Sequence, residues 1–116
     1  MIMSEIIEQR VVWLLDGWKR GLISAEDVHH HAEKWTADER IASELNENSA
    51  AAEILSQLDI LNQQLITSED IPEMLEFIGE SKKNASEARN RWEKYWSQID
   101  FSKRQQTLAE DVFYAC

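Results

Sequence analysis

Cysteine, proline and glycine are all scarce in this chain, at one, one and three residues. With Cys116 as the only cysteine, no internal disulfide can form, and a reducing cytoplasm fits that usage. So few helix breakers suit helices joined by short turns. Strands would need runs of Val, Ile, Thr and aromatic residues bounded by Gly or Asn, and none occurs. Membrane spans are missing too, because no apolar run approaches the roughly 20 residues that a bilayer requires. Met1-Ile2-Met3-Ser4-Glu5 lacks a basic leader region, so no signal peptide is expected. Catalytic signatures are equally absent. The chain has no Gly-rich phosphate loop, no Gly-x-Ser-x-Gly elbow and no His-Glu-x-x-His pair. Neither enzyme activity nor a cofactor is expected.

What is present is an acidic, tryptophan-rich chain of 116 residues with a formal charge of −10 and five Trp. That length makes residues 1–116 a single helical domain, with one core of about five or six helices. The charge is uneven. Residues 1–81 carry 5 Lys/Arg against 17 Asp/Glu, whereas residues 82–104 carry 7 against 3. An acidic body therefore bears one basic segment. Acidic fields repel phosphate backbones and attract basic partners, so direct nucleic-acid binding is not expected.

Apolar spacing of three and four runs through Ile7, Val11, Leu14, Leu15, Trp18 and Leu22, which marks a first helix stopped by Gly21. Ser24 with Asp27 forms a capping box for a second helix, whose face is Val28, Ala32 and Trp35. After a polar connection from Asp38 to Asn48, a third helix shows Ile54, Leu58, Leu61 and Leu65. Thr67 with Asp70 caps a fourth helix, with Pro72 in its first turn, Ile71, Leu75 and Ile78 on its face, and Gly79 at its end.

These two halves repeat. Leu22-Ile23-Ser24-Ala25-Glu26-Asp27-Val28 recurs 43 residues later as Leu65-Ile66-Thr67-Ser68-Glu69-Asp70-Ile71. At the same offset Val11 falls on Ile54, Leu15 on Leu58, Trp18 on Leu61 and Trp35 on Ile78. The expected fold is an all-α compact bundle built from a duplicated helical hairpin, at about 5–36 and 48–79. Helices over about 81–115 follow. A fifth helix over Ser81–Gln98 carries Ala85, Ala88, Trp92, Tyr95, Trp96 and Ile99, and a sixth, capped by Ser102, carries Leu108, Val112 and Ala115. Together these would make a third, degenerate hairpin. A period near 43 lies in the range of HEAT and armadillo arrays, but so few copies suit a closed bundle better than an open solenoid.

Several features compete for a function. His29-His30-His31 diverge by about 100° per residue around a helix, so they do not share the face that a metal site needs, and solvent-facing histidines are expected. Glu26-Asp27 and Glu69-Asp70 sit in first helical turns, where caps and the helix dipole account for them without chemistry. Glu69, Asp70, Glu73, Glu76 and Glu80 form a run without one positive charge. Something basic is expected opposite it, either the fifth helix (Lys82, Lys83, Arg89, Arg91) or a foreign protein. Glu39, Glu44 and Glu47 make a second candidate patch. Trp13 points away from the hairpin face. Packing on the fifth or sixth helix is its first explanation, and an interface anchor its second.

The stretch Lys19-Arg20-Gly21-Leu22-Ile23-Ser24-Ala25-Glu26-Asp27-Val28, after a Trp-containing apolar helix, resembles the small acidic helical immunity proteins of bacterial toxin systems. These are the contact-dependent growth-inhibition and colicin types. The resemblance covers residues 11–36 and again 54–79, and it assigns no functional residue here. It implies a partner that is a basic toxin domain, occluded by this chain. A helical adaptor or regulatory module is the alternative, and a small helical enzyme or metal protein comes third.

Overall fold

In the computed structural model the described residues are 3–38 and 50–115, and every regular element among them is helical. The order is α1 (Met3–Lys19), α2 (Ala25–Thr36), α3 (Ala50–Asp59), a 3-10 turn (Ser68–Asp70), α4 (Ile71–Ser81), α5 (Ala85–Ser97), α6 (Phe101–Thr107) and α7 (Val112–Ala115). The expected all-α bundle is observed. Among the described residues, no helix is long and apolar enough to cross a membrane.

Periodicity explains how the bundle closes. Ile7, Val11, Leu14, Leu15 and Trp18 line one side of α1 and are buried against Ile54, Leu55, Leu58, Met74 and Ile78. α2 packs on α3, α1 lies across α3 and α4, and α4 packs extensively on α5. Each large apolar side chain removed from water stabilises the fold by about 1.5–3 kcal/mol. Leu22 is the exception on the expected first face. It lies beyond the helix and is 74% exposed.

The reason is the turn. Gly21 takes a left-handed φ of 75°, its amide donates to the Trp18 carbonyl at 3.0 Å, and the Leu22 amide donates to the Gly17 carbonyl at 2.9 Å. This pair of bonds ends α1 and turns Leu22 outward. Ile23 then folds back over Gly17, where an added Cβ would meet the Ile23 side chain at 3.4 Å. In the second half the left-handed residue is Leu65, with φ 55°, and the Ile66 amide donates to the Leu61 carbonyl at 3.1 Å. The same kind of turn thus occurs one residue later in the 43-residue frame, on a side chain that normally avoids this conformation.

Other boundaries depart from the sequence reading for local reasons. α4 runs through Gly79 to Ser81. α5 begins only at Ala85, because Asn84 caps it by accepting the Glu87 amide at 3.1 Å. Asp100, not Ser102, caps α6, accepting the Lys103 amide at 3.0 Å. The expected sixth helix breaks after Thr107 and resumes as α7, where the Asp111 carboxylate accepts the Phe113 amide at 3.0 Å. Val112, expected on its buried face, is 78% exposed.

Candidate interaction surface

Ser24 and Thr67 occupy equivalent sequence positions but do different work. The Ser24 hydroxyl accepts the Asp27 amide at 3.1 Å, and the Ser24 amide donates to the Asp27 carboxylate at 3.0 Å. The Ser24 amide foremost, and then the Ser24 side chain, holds the exposed Asp27 carboxyl below its ordinary pKa. At Thr67 only the second half of the box forms, its amide donating to Asp70 Oδ2 at 2.9 Å. The Asp70 amide instead goes to the Thr67 carbonyl, at 3.0 Å. Thr67 Oγ1 is buried without a hydrogen-bond partner among the described residues, so its expected capping bond is not made.

Asp70 also cannot belong to an attracting surface, since its exposure is 0%. It lies at the centre of a closed polar cluster. Arg104 of α6 grips both oxygens, Nη1 to Oδ2 and Nη2 to Oδ1, each at 2.7 Å. The Tyr95 hydroxyl donates to Oδ1 as well. Arg104 Nη1 further donates to the Leu65 carbonyl at 3.1 Å, and the Tyr114 hydroxyl donates to the Ile66 carbonyl at 2.6 Å. The left-handed turn is thus clamped from the C-terminal helices. A buried carboxylate is tolerable only when paired and hydrogen-bonded in this way.

Burial, and secondly the bond to Asp70, push the Tyr95 hydroxyl up to about 12, and burial, then the Asp111 charge, push Tyr114 up to about 12. These are the only two tyrosines in the chain. Unfolded phenols ionise near pH ~10, so above that pH the unfolded state sheds its protons first. The stability held below pH ~10 therefore falls as pH rises toward 12. Phenolate absorbance of the native protein should show no step near pH ~10, whereas protein in urea should show the full step there. One tyrosine titrating natively at its ordinary value would contradict this cluster.

Three of the remaining acids of the run meet the basic helix. Arg91 of α5 contacts Glu73 at 3.0 Å, Glu80 at 2.7 Å and Glu76 at 3.5 Å. One cation thus serves three carboxylates. Glu73 is the most buried, its side chain 18% exposed, and Glu76 the least, at 48%. Glu69 is exposed on the 3-10 turn. Arg89 meets Glu53 of α3 at 2.8 Å and lies over the Phe77 ring, while Lys82 pairs with Glu8 of α1. The basic segment was legible in the sequence as a complement to the acids. The part played by Arg104 was missed, because it meets Asp70 across 34 residues of sequence and no local spacing encodes that.

Trp13 is 58% exposed. Its ring meets the His31 ring edge-on at 5.9 Å, His31 lies 5.6 Å from Trp35, and Arg10 sits over Trp35 at 5.2 Å. The histidines are not all solvent-facing as expected. His29 is directed inward, with Nδ1 donating to the Leu58 carbonyl at 3.3 Å, Nε2 3.4 Å from Glu33 and the ring 5.5 Å from Phe113, while His30 is exposed. Among the described residues no group of three or more His, Cys, Asp or Glu is placed to hold a metal ion. Glu39, Glu44 and Glu47 lie outside the described residues.

The chain matches no family model, no curated protein and no solved structure. Its surface must be read from its own chemistry. The site residues divide into one structural acid (Asp70), one largely structural acid (Glu73), and acids that still face solvent (Glu69, Glu76 and, in part, Glu80). Trp13 stands apart on α1, the largest of the exposed apolar side chains.

Proposed function

We propose that this chain is a binding protein that neutralises a basic protein partner, as an immunity protein occluding its cognate bacterial toxin does. One observation carries the reading. Lys82, Arg89, Arg91 and Arg104, four of the basic segment's seven cations, are paired with acids of the body, so much of the segment's positive charge is used inside the fold. A chain of net charge −10 then keeps acids at its surface, among them Glu69, Glu76 and, in part, Glu80. Such a field disfavours phosphate polymers and speeds encounter with basic proteins. A nuclease-type toxin, which must itself hold phosphate, has the matching charge. No cofactor or metal takes part in this role, and occlusion requires no chemistry.

Co-expression with the product of the neighbouring open reading frame tests the proposal. Protection of cells from that product, together with a complex that purifies intact, is the expected outcome. A complex without protection would favour an adaptor or regulatory module, and neither complex nor protection would end the immunity reading.

A further inference from the structure

A groove of about 520 Å³ opens between the 3-10 turn, α6 and the segment that joins α5 to α6. Volumes of this order are usual for small-molecule sites. The fold holds its walls in place, since Arg104 of α6 grips both oxygens of Asp70 in the turn at 2.7 Å. That grip spends the Arg104 charge inside the protein. Lys103 is the cation that still faces the groove, exposed and in no ion pair among the described residues. Glu69 lines the same groove from the turn, exposed and likewise unpaired among those residues. Asp100 lines it too, but one of its oxygens already accepts the Lys103 amide as the cap of α6. Ile99 and Leu108, each partly buried, supply an apolar stretch of wall. A cation and an acid thus line one groove without meeting, together with aliphatic side chains.

We propose that this groove binds a zwitterionic α-amino acid with a large apolar side chain. The ligand carboxylate pairs with Lys103, its ammonium pairs with Glu69, and its side chain lies on Ile99 and Leu108. Ligands of a single charge fit less well. An amine alone leaves Lys103 unanswered and is repelled by it, while a carboxylate or phosphate alone is repelled by Glu69 and Asp100. A hydrocarbon uses the apolar wall but gains nothing from either charge. The site goes beyond the proposed binding of a basic partner. It shares Glu69 with that reading but needs no second protein, so its test uses this chain alone and either idea can fail without the other.

The probe is L-phenylalanine, titrated into the full chain at about pH 6, where α-amino groups are protonated. Binding is followed through the backbone amide signals of Ser68, Glu69, Ile99 and Lys103 in a proton–nitrogen correlation spectrum. Phenylalanine should move them saturably, with a dissociation constant on the order of 1 mM for a ligand of this size. N-Acetylphenylalanine lacks the ammonium, phenylalaninamide lacks the carboxylate, and glycine lacks the side chain. Each should bind at least about fivefold more weakly than phenylalanine. Lys103→Met and Glu69→Gln should each weaken phenylalanine about fivefold as well. Both positions are exposed, so both variants should fold as the unaltered chain does. Three results would each overturn the proposal: no saturable movement of these signals, any of the three analogues binding as tightly as phenylalanine, or undiminished binding in either variant. The comparison of the four probes on the unaltered chain decides the matter if a variant does not fold.

Discussion

Replacing Arg104 with methionine should destabilise the protein by about 3–5 kcal/mol in urea or guanidinium unfolding, while keeping most of the side-chain volume. The loss comes less from the pair itself than from what is left behind. Asp70, at 0% exposure, would keep its Thr67 and Tyr95 bonds but lose both guanidinium contacts, an uncompensated charge in the interior. The Leu65 carbonyl would lose its donor at the same time, so the left-handed turn would loosen with it. Arg104→Met combined with Asp70→Asn should recover part of the loss, because the buried charge is then gone. A cost below about 1 kcal/mol for Arg104→Met would mean that the cluster is open to water and that α6 is not anchored through it.

Trp92→Ala should cost a similar amount, about 3–5 kcal/mol. Trp92 is 2% exposed and stacks on Phe77 of α4, with ring centroids 4.3 Å apart and planes within 9°. It also meets Trp96 edge-on at 5.4 Å. Removing it opens a large cavity between α4 and α5, the pair of helices that also carries the Arg91 contacts. Calorimetry should show one cooperative transition at a much lower temperature. A transition barely moved would mean that α5 is held by its ion pairs instead.

Helix existence was legible because it rests on local rules. The three-and-four spacing through Ile7, Val11, Leu14 and Leu15 marks a buried stripe whatever lies opposite, and those residues are in the core. Gly21 was readable as a stop because a glycine meets little penalty at φ 75°. Leu65 was not, since its left-handed backbone is stabilised by Arg104, 39 residues later. The Asp27 and Asp70 boxes look alike in sequence, yet one is exposed and the other sits under Tyr95 and Arg104. Burial of that kind depends on which later helix docks on the turn, and a repeat pattern carries no such information. The run from Glu69 to Glu80 likewise read as one surface. A helix has several sides, and α5 covers the one that bears Glu73.

That division gives the most direct measurement of the central claim, that the acids still facing solvent attract the partner. Glu73→Lys and Glu76→Lys should be compared in melting temperature and in the rate of association with the neighbouring open reading frame's product, at low and high salt. Glu73 is largely buried beside Arg91, so its reversal should lower the melting temperature. Glu76 is half exposed, 3.5 Å from the same guanidinium, so its reversal should change stability by no more than about 0.5 kcal/mol. The Glu76 variant should nonetheless associate several-fold more slowly at low salt, with the difference fading as salt rises. If Glu76→Lys associates at the unaltered rate and with the unaltered salt dependence, the acids of α4 serve only the fold, and the claim is contradicted.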